Sequence, residues 1–228
     1  MNRRMQNPSY RKDVSRVLAD VLLDSFSGKR VLVTGATGLL GTFLVDVLAE
    51  ANRRGANIRI LAVGRNRDRA LKRFGGYGPT ESISFVEHDV RNPFPPDLRF
   101  DVAVDGASLT HPLAYSEHPV ETILTNVDGT KNLLARAAEC KATVLFLSSV
   151  EIYGNARDGK PFREQDTGML DLSTARAGYT ESKRVAEALC QAYAAEKGLD
   201  IRIARLCRVF GPTVLDTDTK ASSQFLKK

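Results

Sequence analysis

Tyr179 and Lys183 stand four residues apart in Tyr179-Thr-Glu-Ser-Lys183, a spacing that puts both side chains on one face of a helix. A phenol with a reference pKa of about 10 is a poor base at neutral pH. A neighbouring ammonium and an oxidised nicotinamide both favour its phenolate, which can then take a hydroxyl proton. Ser149, in Leu147-Ser-Ser-Val-Glu-Ile-Tyr-Gly154, sits where a strand should end and can hydrogen-bond the same substrate oxygen. Together the three suit hydride transfer from a carbinol carbon to a nicotinamide. Tyr-x-x-x-Lys alone is more often an exposed helical pair, so its meaning depends on the elements around it.

Those elements alternate. The spacing of apolar residues predicts strands at 29–34, 58–63, 82–87, 101–105, 143–148 and 200–206, with helices near 42–51, 66–74, 120–139 and 177–197. Gly198 is placed as the glycine that ends the last helix. Six β-rich runs separated by helices indicate a doubly wound α/β fold with a mostly parallel sheet, whose ligands bind beyond the carboxyl ends of the strands. An amphipathic leader helix is expected at 12–25, from Val14, Val17, Leu18, Val21 and Leu22. The irregular stretch 155–175 is placed to cover a site.

The first strand runs into Gly35-Ala-Thr37-Gly38-Leu39-Leu40-Gly41. The first glycine permits a tight turn, the second lets backbone approach a pyrophosphate, and the third lets helix and strand pack closely. The helix start adds free N–H groups and partial positive charge for phosphates. After the second strand, where an acidic residue would hold the adenosine ribose of NAD, the chain has Arg65. Arg65 can accept a 2′-phosphate or stack on adenine, which leaves both NAD and NADP open. His88-Asp89-Val90 ends the third strand; Asp89 is a partner for the adenine amino group or else a turn-forming residue.

The 228 residues are 43% hydrophobic and 26% charged, the balance of a globular domain. The 33 basic and 27 acidic side chains leave +6. That excess is local: residues 1–30 and 51–80 carry it and the remainder is net acidic, so nucleic acid ranks last among partners. No run approaches the roughly 20 apolar residues of a membrane span, and no apolar export segment follows the basic start. A cytoplasmic location is expected. Cys140, Cys190 and Cys207 show no metal or disulfide spacing and are expected to be core thiols.

Taken in order, the glycine turn, Asn126-Val-Asp-Gly-Thr130, Ser148-Ser-Val-Glu-Ile-Tyr-Gly154, Tyr179-Thr-Glu-Ser-Lys183 and Arg205-Leu-Cys-Arg-Val-Phe-Gly-Pro212 resemble the extended short-chain dehydrogenases/reductases, in the nucleotide-sugar epimerase/dehydratase branch. The resemblance implies a Rossmann domain over 29–212, a leader over 1–28, and at 213–228 the start of a substrate-binding region that relatives continue well beyond Lys228. It also implies a tightly bound NAD(P), a nucleotide-sugar substrate oxidised at C4 and reduced again in the same turnover, and a homodimer through two long helices.

The resemblance makes Ser149, Tyr179 and Lys183 the catalytic set, with Lys183 also reaching the nicotinamide ribose and Ala107, Ser108 and Asn126 lying along the cofactor. Glu151 falls where decarboxylases and 4,6-dehydratases carry a glutamate. It can remove a C5 proton, position a sugar carboxylate, or pair with an arginine. Val150 replaces the aspartate of a 4,6-dehydratase, which places the UDP-glucuronate decarboxylase type slightly ahead. Arg208 replaces a usual asparagine and is a candidate for binding a substrate anion. Asp105-Gly106 replaces a common His-Ala. The competing reading is a non-catalytic NAD(P)-binding protein or inactive fragment on the same fold.

Overall fold

The computed structural model describes residues 3–20, 23–110, 112–155 and 159–214. Six strands, β1 Arg30–Val33, β2 Arg59–Gly64, β3 Ile83–Glu87, β4 Val102–Asp105, β5 Thr143–Ser149 and β6 Ile201–Leu206, form one sheet. The helices are α1 Pro8–Ala19, α2 Leu39–Arg53, α3 Arg67–Phe74, α4 Pro112–Glu117, α5 Pro119–Cys140 and α6 Ala177–Lys197. The strand order is β3-β2-β1-β4-β5-β6 and every neighbouring pair is parallel. The chain winds outward from β1 to β3, then returns to place β4 on the other side of β1. This is a doubly wound Rossmann-type sheet, and the reversal between β1 and β4 opens a crevice at their carboxyl ends.

Both faces of the sheet are covered, so the central strands are apolar on both sides. On one face Val14 and Leu18 of α1 and Val45 of α2 pack with Val31, Val33, Ile58 and Ile60. On the other, Leu133 and Leu134 of α5 and Ala186 and Cys190 of α6 pack with Leu32, Val144 and Phe146. Cys190 is thus a core thiol, whereas Cys140 is half-buried and Cys207 is exposed. The expectation of three core thiols fails because Cys207 lies just beyond the end of β6. No described helix is long and apolar enough to cross a membrane.

The leader helix starts earlier than its apolar periodicity suggests. Asn7 accepts from the Tyr10 amide at 3.2 Å and Pro8 occupies the first turn, so capping chemistry sets the start. The helix ends at Ala19, and Val21 and Leu22 lie outside the described residues. Helix α2 begins at Leu39, because Gly38 is already its cap. Helix α6 ends on Gly198 at φ +64°, as its position in the sequence implied.

One carboxylate fastens the leader to the body. Asp46 of α2, fully buried, accepts from Tyr10 at 2.6 Å, Tyr77 at 2.7 Å, and Arg4 through two nitrogens at 3.0 and 2.9 Å. Asp46→Ala is therefore expected to cost about 3 kcal/mol, because it removes a fully buried carboxylate that takes hydrogen bonds from Arg4, Tyr10 and Tyr77. Urea denaturation reads the loss, and a change below about 1 kcal/mol would place the network among weak surface pairs.

Candidate active site

The turn after β1 works by close approach. Gly35 has φ +64°, and a Cβ there would lie 2.6 Å from the Gly106 carbonyl oxygen at the exit of β4. A Cβ on Gly41 would lie 2.3 Å from the Gly35 carbonyl oxygen. Only hydrogen fits at either place, so the exits of β1 and β4 and the first turn of α2 meet backbone to backbone. Thr37 is buried in this turn, while Leu39 and Leu40 open α2 half-exposed. The chain beyond β6 returns here, with the Thr213 hydroxyl donating to the Leu39 carbonyl at 2.7 Å.

At the exits of β2 and β3 the expected cofactor residues are already paired. Arg65 donates to Glu121 of α5 and lies 3.9 Å from Asp89. Arg91 grips both oxygens of Asp89, and these hydrogen bonds hold that carboxyl down to about 2. Bonding to Arg65 likewise holds Glu121 below the usual carboxylate range. The Arg65 side chain is half exposed, so its ion pair adds at most about 1 kcal/mol to stability. Its main effect is on the local charge. Val90 is buried and its carbonyl takes the Asn132 amide at 3.0 Å.

The structure brings Ser149 and Tyr179 together. Ser149 ends β5, and its hydroxyl accepts from the Glu151 amide at 3.2 Å and lies near the Tyr179 phenol. Burial raises the Tyr179 pKa; the Ser149 contact opposes that rise, while Glu151 and Tyr115 add to it. Tyr115 of α4 stacks on Tyr179 with ring centres 5.3 Å apart. The charges of Arg176 and Arg208 act on Tyr115 and oppose the rise that burial gives its phenol. Lys183 lies deeper. It is buried, donates to the Leu147 carbonyl at 2.8 Å, and stands 4.7 Å from the centre of the Phe146 ring. Burial lowers it to about 8, against a pull upward from Asp105.

Three buried side-chain atoms among the described residues have no hydrogen-bond partner: Ser108 Oγ, Thr125 Oγ1 and Asn126 Oδ1. They line the exit of β4 and the adjoining face of α5. The Asn126 amide donates to Ser182, whose hydroxyl donates to the Tyr179 carbonyl, so this row adjoins the helix of the tyrosine. Such atoms are costly unless a polar ligand satisfies them. With the glycine cradle and Ala107 alongside, they fit a dinucleotide with a nicotinamide end. Tyr115, Thr125 and Arg176 escaped sequence reading. Tyr115 sits on a six-residue helix too short to show a period, and Thr125 and Arg176 lack a motif position of their own.

Residues 31–228 match the NAD dependent epimerase/dehydratase family. Among curated proteins, UDP-glucuronic acid decarboxylase 6 of Arabidopsis thaliana is 34% identical over 200 residues, 88% of this chain and 56% of the relative. UDP-glucuronic acid decarboxylase 1 of Xenopus tropicalis is 32% identical over 198 residues, 87% of this chain and 45% of the relative. The chain therefore spans about half the length of the curated relatives it matches. A solved dTDP-glucose 4,6-dehydratase from Streptomyces venezuelae, with NAD bound, superposes at a TM-score of 0.70 and 26% identity, covering 87% of this chain and 61% of that one.

The depth of Lys183 has a measurable consequence. Its titration lies near about 8, against an ordinary value of 10.5. Between those values the unfolded chain holds more protons than the folded one, so this lysine's contribution to stability rises with pH. Urea denaturation across that window should show the native chain gaining on Lys183→Met, whereas parallel curves would mean a solvated lysine.

Proposed function

The chain belongs to the NAD dependent epimerase/dehydratase family, and we propose that it acts on a nucleotide-linked sugar, oxidising C4 and restoring the hydride in the same turnover. The observation that carries this reading is the nearness of Ser149 to Tyr179 beside a row of unpartnered buried polar atoms. A bound nicotinamide supplies the hydride acceptor. The amides of the turn from Gly35 through Thr37, Gly38, Leu39 and Leu40 to Gly41 would hold its pyrophosphate, Asp89 and Val90 would flank the adenine, and Ala107, Ser108 and Asn126 would line the remainder. In this reading 29–212 is the cofactor domain, 1–28 its leader, and 213–228 the start of the substrate region.

Tyr179 takes the C4 hydroxyl proton while Ser149 holds the oxygen, and Lys183 supplies positive charge that favours the phenolate. A uronic acid suits the rest of the site. Once C4 is a ketone, the C6 carboxylate is β to it, so the C5–C6 bond can break to carbon dioxide and leave its electron pair on an enolate held by Ser149 and Tyr179. The negative charge of Glu151 acts on Tyr179, and the positive charges of Arg176 and Arg208 act on Tyr115, which stacks on Tyr179. That pairing of one carboxylate with two cations supports a substrate that carries its own carboxylate, and with it a reaction of the UDP-glucuronate decarboxylase type. Exposed Val120, Ile123 and Leu124 on α5 and Val185 on α6 support a homodimer through these helices.

The charge at Arg65 favours NAD over NADP. Glu121 neutralises the guanidinium that a 2′-phosphate would need, and Asp89 adds a second negative charge nearby. Glu121→Gln should therefore raise NADP affinity about tenfold, the effect of an interaction of about 1.4 kcal/mol, with NAD affinity nearly unchanged. Calorimetric titration of both cofactors checks this. The central test incubates the protein with NAD and UDP-glucuronate and follows carbon dioxide and pentose product by mass spectrometry. Tyr179→Phe should lower the rate by about a hundredfold or more, the usual size of a general-base effect, without loss of NAD binding. NAD binding with no turnover in the native chain would instead establish a non-catalytic NAD-binding protein.

A further inference from the structure

Asp105 closes β4 and is 5% exposed. Hydroxyls from two other elements reach its two oxygens: Thr34 at the exit of β1 at 3.0 Å and Thr130 on α5 at 2.8 Å. The direction of the first bond is fixed. The Thr34 oxygen accepts from the Gly106 amide at 3.0 Å and the Ala107 amide at 3.1 Å, which uses both its lone pairs and leaves its proton for Asp105. Among the described residues no basic side chain donates a hydrogen bond to Asp105, and a buried carboxylate without countercharge is costly.

Lys183 is the cation within reach. In the β4/β5 register Asp105 pairs with Phe146, the residue whose ring lies under the Lys183 ammonium, and that ammonium donates to the carbonyl of the next residue, Leu147. The attraction runs both ways. Burial pushes the Asp105 carboxyl up and Lys183 opposes it; burial pushes Lys183 down and Asp105 opposes it. The other groups facing Lys183 are committed or neutral. Glu187, on the same helix, is gripped by Arg205 of β6 and bonded by Ser148 of β5. Cys190 is a thiol pushed up to about 12 by burial. Helix α5 and β1 contribute only the uncharged Thr130, Asn126 and Thr34 to this corner.

We propose that Asp105 is a positioning residue: a buried counter-ion that keeps the ammonium of Lys183, one turn of α6 after Tyr179, charged and docked at Leu147, and that ties its place to the glycine turn through Thr34. The inference rests on the role proposed for Lys183. Asp105 itself touches neither substrate nor cofactor. A single carboxylate thereby sets two distances at once, from the lysine to the sheet and from β4 to the backbone of the turn.

The test follows Lys183 directly, with lysine labelled by carbon-13 at Cε and its NMR shift read against pH in the full chain. Lys183→Met assigns the signal by removing it. The native midpoint is expected near about 8, and in Asp105→Asn it should fall by about one pH unit or more, since an opposing desolvation is no longer balanced. An unchanged midpoint in a folded variant overturns the proposal, because a purely structural aspartate would move the melting temperature alone. Should Asp105→Asn not fold by itself, it is compared in the Lys183→Met background. There it should raise the melting temperature by removing a stranded charge, and a further drop would overturn the proposal. Neither readout needs turnover, so failure of the sugar assay leaves both interpretable.

Discussion

The backbone of the turn after β1 touches the exit of β4, and nothing larger than hydrogen fits between Gly35 and the Gly106 carbonyl. The rest of the site follows from that contact. It brings the Thr34 hydroxyl under the Gly106 and Ala107 amides, which aims its proton at Asp105. Asp105 then faces the strand where Lys183 docks. The glycine turn and helix α6 are therefore joined by a short run of contacts through the sheet. A site built on strand exits in this way is held more rigidly than one built on long loops.

Four carboxylates show how burial decides what one chemistry does. Asp46 is fully buried and takes four donors, so it serves as a structural fastener. Asp89 and Glu121 pair with arginines at the wet exits of β2 and β3, where each pair adds little stability but fixes the local charge. Asp105 stands between these cases. It is nearly as buried as a fastener, yet its hydrogen bonds come from two hydroxyls and the charge that acts on it is that of a buried lysine. That is an expensive arrangement if stability were its only product, and the lysine it acts on, one turn of α6 after Tyr179, gives the reason to keep it.

The sheet was legible in the sequence because its signals are local and redundant. Each strand is a short apolar run, and Gly35, Gly38 and Gly41 sit between a strand and a helix as the turn demands. Ser149, Tyr179 and Lys183 stand in equally local patterns, at a strand end and four apart on one helix. What escaped depends on distant partners. No periodicity tells that Arg65 is spoken for by Glu121, 56 residues later, or that Tyr115 will lie on Tyr179. Asp105 was visible as a departure from its relatives, but its meaning needed the Thr34 and Thr130 hydroxyls and the β4/β5 register. The start of α1 was misplaced because periodicity was given more weight than the Asn7-Pro8 cap.

Helix α2 is where the leader and the far end of the chain act on the same object. Asp46, in its middle, holds Arg4 and Tyr10 of the leader. Arg4 also donates to the Arg73 carbonyl of α3, and Arg73 donates to the Thr213 carbonyl beyond β6. Thr213 in turn bonds the Leu39 carbonyl in the first turn of α2. The loop of bonds closes: middle of α2, leader, α3, the return segment, start of α2. A helix so braced cannot tilt without breaking several bonds at once, and its first turn is the one packed against Gly35. The added leader therefore supports the glycine turn from behind, at a place where a shift of a few tenths of an ångström would bring backbone into collision.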